Sequence, residues 1–285
     1  MRSNREMMDL IIGTAAADER VRAVCMNGSR VNPAAQKDKL QDYDIVYFVT
    51  ELAVFTADHT WVDLFGDRTI MQLPDEMSII PGEPRRCFTY LMQFEDGNRI
   101  DLTLSPLEDM EDCLKSDSLT LVLLDKDGVA PALPPPGDSS YHVKPPNEKL
   151  YQDCCNEFWW LCPYIAKGLW RGQFLYAAET MNQYLRPMLH QMLRWQVGTE
   201  HNFAVNTGKG DHAFSSLLSE ETWDKLVSTY RMGSCADIWA ALRTSRILFR
   251  RSANAVAAHF GWQYNGRDDE RVSAYVDRIH AECSE

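Results

Sequence analysis

The chain changes character at a run of prolines. Residues 129–137 hold four of them, Pro145-Pro146 follow, and Asp138, Ser139 and Ser140 lie between. A prolyl nitrogen carries no hydrogen and its ring fixes φ, so neither a helix nor a central strand can pass through such a segment. Before it, short apolar runs alternate with helical ones, and Leu119 to Leu124 reads as a buried strand that ends the first domain. After it, from about Glu148, the apolar spacing is helical and seven of the eight tryptophans appear. The expected class is therefore α+β. Residues 1–130 form an α/β domain on a mixed sheet flanked by helices, 131–147 a linker, and 148–285 an all-helical bundle, with the active cleft between the two domains. A chain of 285 residues with 45% apolar content is long enough to bury two cores. No internal repeat is visible.

Charge narrows the partners. Lys and Arg number 29 against 41 Asp and Glu, a formal net charge of −12. Binding to a nucleic-acid backbone draws on clustered Lys and Arg, so this balance argues against such a partner and favours a cationic ligand. Met7 to Ala17 is interrupted by Asp9 and followed by Asp18, Glu19 and Arg20, which predicts an amphipathic first helix rather than a signal sequence. No run reaches the roughly 18 apolar residues of a membrane span. The eight cysteines contain no Cys-x-x-Cys pair. Neither zinc nor a disulfide framework is expected, and the reading is a cytoplasmic monomer with reduced thiols.

The chemistry is concentrated in the first half. Val21 to Met26 reads as a short strand that runs into Asn27-Gly28-Ser29-Arg30. Twelve residues on, Asp42-Tyr43-Asp44 heads the apolar run Ile45-Val46-Tyr47-Phe48-Val49. Carboxylates two apart on a strand share a face, because strand side chains alternate. One such pair on a solvated edge is common in an acidic chain. Here the intervening residues 31–41 are polar and include Pro33, as befits a connection that brings the turn beside the acidic strand. A third acid, Asp101, lies in the alternating run Arg99-Ile100-Asp101-Leu102-Thr103-Leu104, where Asp101 and Thr103 share one face. A face of carboxylates holds a divalent metal, and a Gly-Ser turn with unhindered N–H groups suits the phosphates of a nucleotide carried on it. The pairing points to nucleotidyl transfer.

The turn, the Asp-x-Asp strand and the later strand Asp resemble the DNA polymerase β-type nucleotidyltransferase superfamily. Longer strings narrow this: Trp61 to Gly66, the hairpin Phe94-Glu95-Asp96-Gly97-Asn98-Arg99-Ile100-Asp101-Leu102-Thr103-Leu104, then Asn156-Glu157-Phe158-Trp159-Trp160 and Tyr164-Ile165-Ala166-Lys167-Gly168-Leu169-Trp170-Arg171. Together they resemble the aminoglycoside 6-adenylyltransferases, the streptomycin-modifying resistance enzymes, from about residue 3 to about residue 265. The resemblance implies transfer of AMP from ATP to a hydroxyl of the drug, with two Mg2+ ions. Asp42 and Asp44 would ligate metal. Asp101 would stand beside the attacking hydroxyl as ligand, general base or both, and Gly28, Ser29 and Arg30 would hold phosphates. Lys167 matches a family position suited to a phosphate contact. Lys209 lies in the loop Thr207-Gly208-Lys209-Gly210, which departs from the family pattern in having His212 where a second lysine is expected.

For the acceptor, Glu95 and Asp96 begin a hairpin turn, and Asp96-Gly97 is first of all a turn signal. Asn156, Glu157, Trp159 and Trp160 fall on one expected helix, with Asn156 and Trp160 on a shared face. Glu157 or Asp153 can pair with a guanidinium and a tryptophan can stack on it, although tryptophans at helical spacing also build cores. Glu179 and Tyr184 have weaker claims. The same fold with another acceptor, either another aminoglycoside or a protein, and a silent nucleotide-binding module are the alternative readings.

Overall fold

The computed structural model describes residues 1–79 and 86–283. They divide into two compact units, Met1–Ser140 and Tyr141–Glu285, and the division falls inside the proline-rich stretch.

Among the described residues the first unit is built on six strands: β1 (Val21–Asn27), β2 (Tyr43–Val49), β3 (Arg68–Gln72), β4 (Phe88–Phe94), β5 (Arg99–Pro106) and β6 (Thr120–Asp125). They pair in the order β3-β4-β5-β2-β1-β6. Only β2 and β5 run parallel; every other pair is antiparallel, so the sheet is mixed. Alternation assigns the two faces. Tyr43, Ile45, Tyr47 and Val49 of β2, with Ile100, Leu102 and Leu104 of β5, pack against Met7, Ile11 and Ala15 of helix α1 (Asn4–Ala17). That helix begins with a capping box, the Ser3 side chain meeting the Glu6 N–H while Glu6 reaches back. It is pinned by the Tyr47 hydroxyl donating to the Ile11 carbonyl at 2.5 Å. A short helix α2 (Leu52–Thr56) adds Phe55 to this core. On the other face, Ala23, Cys25 and Phe48 form a smaller cluster with Met110 and Leu114 of α3 (Met110–Ser116).

The run Leu119 to Leu124 reads as a buried strand, but β6 is the edge of the sheet, paired only to β1 among the described residues, with Leu121 41% exposed. An uninterrupted apolar run does not say on how many sides it is covered; that depends on its place in the sheet order.

The second unit is helical: α4 (Glu148–Trp170), α5 (Phe174–Glu179), a π-helical turn over Thr180–Leu185, α6 (Arg186–Glu200), α7 (Phe214–Leu217), α8 (Glu220–Ser228), α9 (Cys235–Phe260) and α10 (Gly266–Glu282). The two longest helices start at side-chain caps, Asn147 and Ser234, whose oxygens take the N–H of Leu150 and Asp237. Their buried stripes meet where Phe158 stacks on Phe249, ring centroids 3.8 Å apart, with Trp159 set edge-on to Phe158. Trp159 is buried and its indole N–H donates to the Tyr264 hydroxyl at 3.0 Å, a core role rather than a ligand-facing one. No helix among the described residues is long and apolar enough to cross a membrane.

Candidate active site

Strand register brings the acids together. β2 lies antiparallel to β1 with Asn27 opposite Asp44, and parallel to β5 with Asp44 beside Asp101. Residues abreast in a sheet send their side chains to the same face. Asp44 and Asp101 therefore point the same way, and Asp42, two residues before Asp44, continues the row. Asp44 lies two residues before Val46, which packs on the α3 cluster, and the Asp42 and Asp101 side chains are 40% and 22% exposed.

Gly28 follows β1 directly, in a 3-10 turn over Gly28–Arg30, with φ +75°. A Cβ at this position would strike the Asp44 carboxylate. The turn thus lies on the acid at a distance that only a residue without a side chain allows. Ser29 is exposed and its hydroxyl accepts from the Gln41 amide at 3.2 Å. Lys37 ties off the turn by donating to the carbonyls of Ser29, Arg30 and Asn32 at 3.0, 2.7 and 3.0 Å. Arg30, expected to hold phosphate, is engaged with the backbone beside the turn. Its Nε donates to the Asp42 carbonyl at 3.0 Å and Nη2 to the Gln41 carbonyl at 2.6 Å, while the guanidinium lies 3.6 Å over the Tyr43 ring. With these donors engaged it clamps the end of the connection that delivers Asp42.

Arg99 brings a positive charge to the cluster. Its Nε and Nη2 donate to the two carboxylate oxygens of Asp101 at 2.7 and 2.8 Å, and Nε lies 3.7 Å from the Asp42 carboxylate. The hydrogen bond to Asp101 comes first in raising its pKa; partial burial opposes it, and the charges of Asp101, Asp42 and Asp44 add to it. The i, i+2 spacing in Arg99-Ile100-Asp101 was the signal available in the sequence, since it places both side chains on one strand face.

Among the described residues no three His, Cys, Asp or Glu side chains converge closely enough to cage a metal ion. The donor chemistry still fits Mg2+: an all-oxygen set of carboxylates on one strand face suits a hard dication, and a positive group, the Arg99 guanidinium, already stands at it.

The hairpin residues separate into two roles. Asp96 accepts from the backbone N and Nε of Arg2 at 3.0 and 2.7 Å and from the backbone N and side-chain amide of Asn98 at 3.0 and 2.9 Å. Burial pushes its carboxyl up, but these donors outweigh burial and hold it well below the ordinary carboxylate range. It is a structural staple for the N-terminus. Glu95 beside it is exposed, its backbone N–H donating to the Asp67 carbonyl.

In the helical unit, Asn156, Glu157, Trp160 and Lys167 all lie on the exposed side of α4. Trp160 and Lys167 line one pocket of ≈ 570 Å³ with Pro163, Tyr164, Arg171, Tyr176 and Tyr275. Trp160 is 61% exposed, with its ring 6.1 Å from that of Tyr164. Tyr176 reaches this wall because Gly168 has no side chain; a Cβ there would strike its ring. Lys167 and Arg171 form no ion pair among the described residues. Asp153, by contrast, is paired with Lys149 on its own helix. Tyr176 and Tyr275 carried no sequence signal, because a wall assembled from α4, α5 and α10 has no linear motif. Glu179 accepts from Gln183, and Tyr184, in the π-helical turn, is exposed.

The loop that carries exposed Lys209 is anchored by Asp211, which is 4% exposed and held at φ +59°. Arg194 donates to both carboxylate oxygens at 2.6 and 2.7 Å, Thr207 to one at 2.8 Å, and His190 Nδ1 lies 2.8 Å away. His190 Nε2 faces the Tyr230 hydroxyl at 3.1 Å, so the Nδ1–H tautomer satisfies both partners. His212 packs its ring over Gly208.

The family model "Streptomycin adenylyltransferase" matches residues 1–279. An aminoglycoside 6-adenylyltransferase of Bacillus subtilis (strain 168) is 38% identical over 285 residues, covering 100% of this chain and 99% of the relative. One of Campylobacter jejuni is 39% identical over 278 residues, with 98% and 96% covered. A solved structure, "Crystal structure of an aminoglycoside 6-adenyltransferase from Bacillus subtilis", is 35% identical, with 98% and 99% covered and a TM-score of 0.48. Agreement of a family model and of relatives along almost the entire length leads to one conclusion: this chain belongs to the streptomycin adenylyltransferase family and is a nucleotidyltransferase.

Proposed function

We propose that the protein transfers AMP from Mg-ATP to the 6-hydroxyl of streptomycin, releasing pyrophosphate and inactivating the drug. The observation that carries this reading is Asp44 abreast of Asp101 under the Gly28 turn, in a chain whose relatives are named aminoglycoside 6-adenylyltransferases. Asp42, Asp44 and Asp101 are the residues that would hold Mg2+, which when bound neutralises charge on the phosphates. The drug hydroxyl attacks the α-phosphorus of ATP, the new oxygen–phosphorus bond forms, and the α–β bridge breaks to free pyrophosphate. Asp101 takes the hydroxyl proton once Arg99 no longer occupies both of its oxygens. Gly28 and Ser29 present the turn to the β- and γ-phosphates. Lys167 and Arg171, one helical turn apart, are like charges that an anion would reconcile, which supports a nucleotide contact on that wall. The net charge of −12 favours a polycationic acceptor. An added anionic group spoils the charge match of such a drug to ribosomal RNA.

The test is pyrophosphate release from Mg-ATP by the purified protein, with streptomycin, spectinomycin, kanamycin or no acceptor. Release that depends on streptomycin, with a drug mass gain of one AMP unit, is expected. Release with another drug alone moves the acceptor. None with any, despite metal-dependent ATP binding, favours a protein acceptor or a silent nucleotide-binding module.

A further inference from the structure

Arg22 with Asp127 and Arg2 with Asp96 join segments far apart in the chain. Arg99 and Asp101 already sit in one strand whose register is set by backbone pairing on both sides. The ion pair is not needed to place either residue. What it does is place a positive charge on a face that carries three carboxylates. It does so with a fork that matches the carboxylate, tethered two residues away and therefore always present at high effective concentration.

Both Asp101 oxygens are engaged by the fork, and Nε also reaches towards Asp42. A dication that takes Asp101 meets the guanidinium already on both of its oxygens and has to compete with its charge there. We propose that Arg99 is a built-in counter-ion that latches the acid cluster in the metal-free protein, so that metal enters by exchange with the guanidinium rather than by simple addition. The latch makes the cluster a poor ligand for free metal ions and a better one for metal delivered with a nucleotide, whose own phosphates complete the coordination and give the released guanidinium an anion to meet. This rests on the carboxylates being the metal site of the proposed reaction. It adds a positioning residue whose effect appears before any turnover.

The experiment is a Mn2+ titration of the full-length protein without nucleotide, followed by calorimetry or electron paramagnetic resonance, for the native chain, Arg99→Gln, Arg99→Lys and Asp101→Asn. Thermal melts in chelator and in Mn2+ accompany it. Arg99→Gln is expected to bind Mn2+ at least tenfold tighter than the native chain, to melt lower in chelator, and to regain the difference in Mn2+. Arg99→Lys, which keeps the charge but loses the fork, should fall between the two and keeps the test open if the Gln variant folds poorly. Asp101→Asn should show no such gain. Equal or weaker Mn2+ binding in folded Arg99 variants overturns the latch. Absence of Mn2+ binding in every chain overturns it together with the metal reading. Tighter binding in Arg99→Gln in a protein that adenylylates no aminoglycoside leaves the latch standing and removes only the acceptor.

Discussion

At the residue scale, the site is a matter of which atoms are missing as much as which are present. Gly28 lies on Asp44 because it has no Cβ. Gly28→Ala would meet a movable carboxylate rather than backbone, so the chain is expected to fold with a modest loss of stability, the left-handed φ adding about 1 kcal/mol. The displaced Asp44 should cost at least tenfold in kcat/KM, and comparing the melting temperature with the kinetics separates the two effects. Asp44→Asn keeps the shape and removes the charge. Turnover is expected to fall at least a hundredfold with an unchanged far-UV spectrum, and near-native turnover would remove Asp44 from the metal site. Asp42, Asp44, Asp101 and Gly28 were legible in the sequence because strand alternation and a turn residue are local signals. Arg30 and Arg99 were not: both are arginines beside the same acids, and only the path of the chain decides that one clamps the carbonyls of Gln41 and Asp42 while the other forks onto Asp101.

At the element scale, β1, β2, β5, α1 and α4 could be read from periodicity, whereas β6 was legible as a strand but not as an edge. The Lys209 loop shows what sequence conceals. Its anchor, Asp211, meets Arg194 and His190 from α6 and Thr207 from its own loop. Burial raises the Asp211 carboxyl, but the hydrogen bonds from His190, Arg194 and Thr207 outweigh it and hold the pKa at about 2, against an ordinary 3.8. Between these values the unfolded chain binds more protons than the folded one, so stability rises with pH there. The contribution is complete above about pH 4 and lost as the pH falls through about 2. Asp211→Asn is expected to lower stability at neutral pH, by leaving the Arg194 charge without its partner, and to flatten the acid limb between pH 4 and 2. Denaturant unfolding across that range checks both, and an unaltered limb would mean that other carboxylates carry it.

At the scale of the whole molecule, each unit has its own core. The sheet packs on α1 and α3 in one, and the aromatic stack of α4 and α9 organises the other. The excess of 12 negative charges acts on any polycation that approaches. Raising the ionic strength from about 0.1 M to about 1 M shortens the screening length from about 10 to about 3 Å. The kcat/KM for streptomycin should fall several-fold, mostly through KM, with turnover at saturating drug changed less. A salt-independent KM would show that the acceptor is held by shape and local hydrogen bonds rather than by charge.

The sequence alone determined the α+β class, the helical character of the second half and the acids of the first, because proline, alternation and helical spacing act between near neighbours along the chain. Tertiary structure decided the rest. It set Asp44 abreast of Asp101, made β6 an edge, turned Arg30 into a clamp, and gathered Trp160, Lys167, Tyr176 and Tyr275 around one pocket. Each of these depends on which distant segments meet, and that is fixed by packing and register rather than by any local preference.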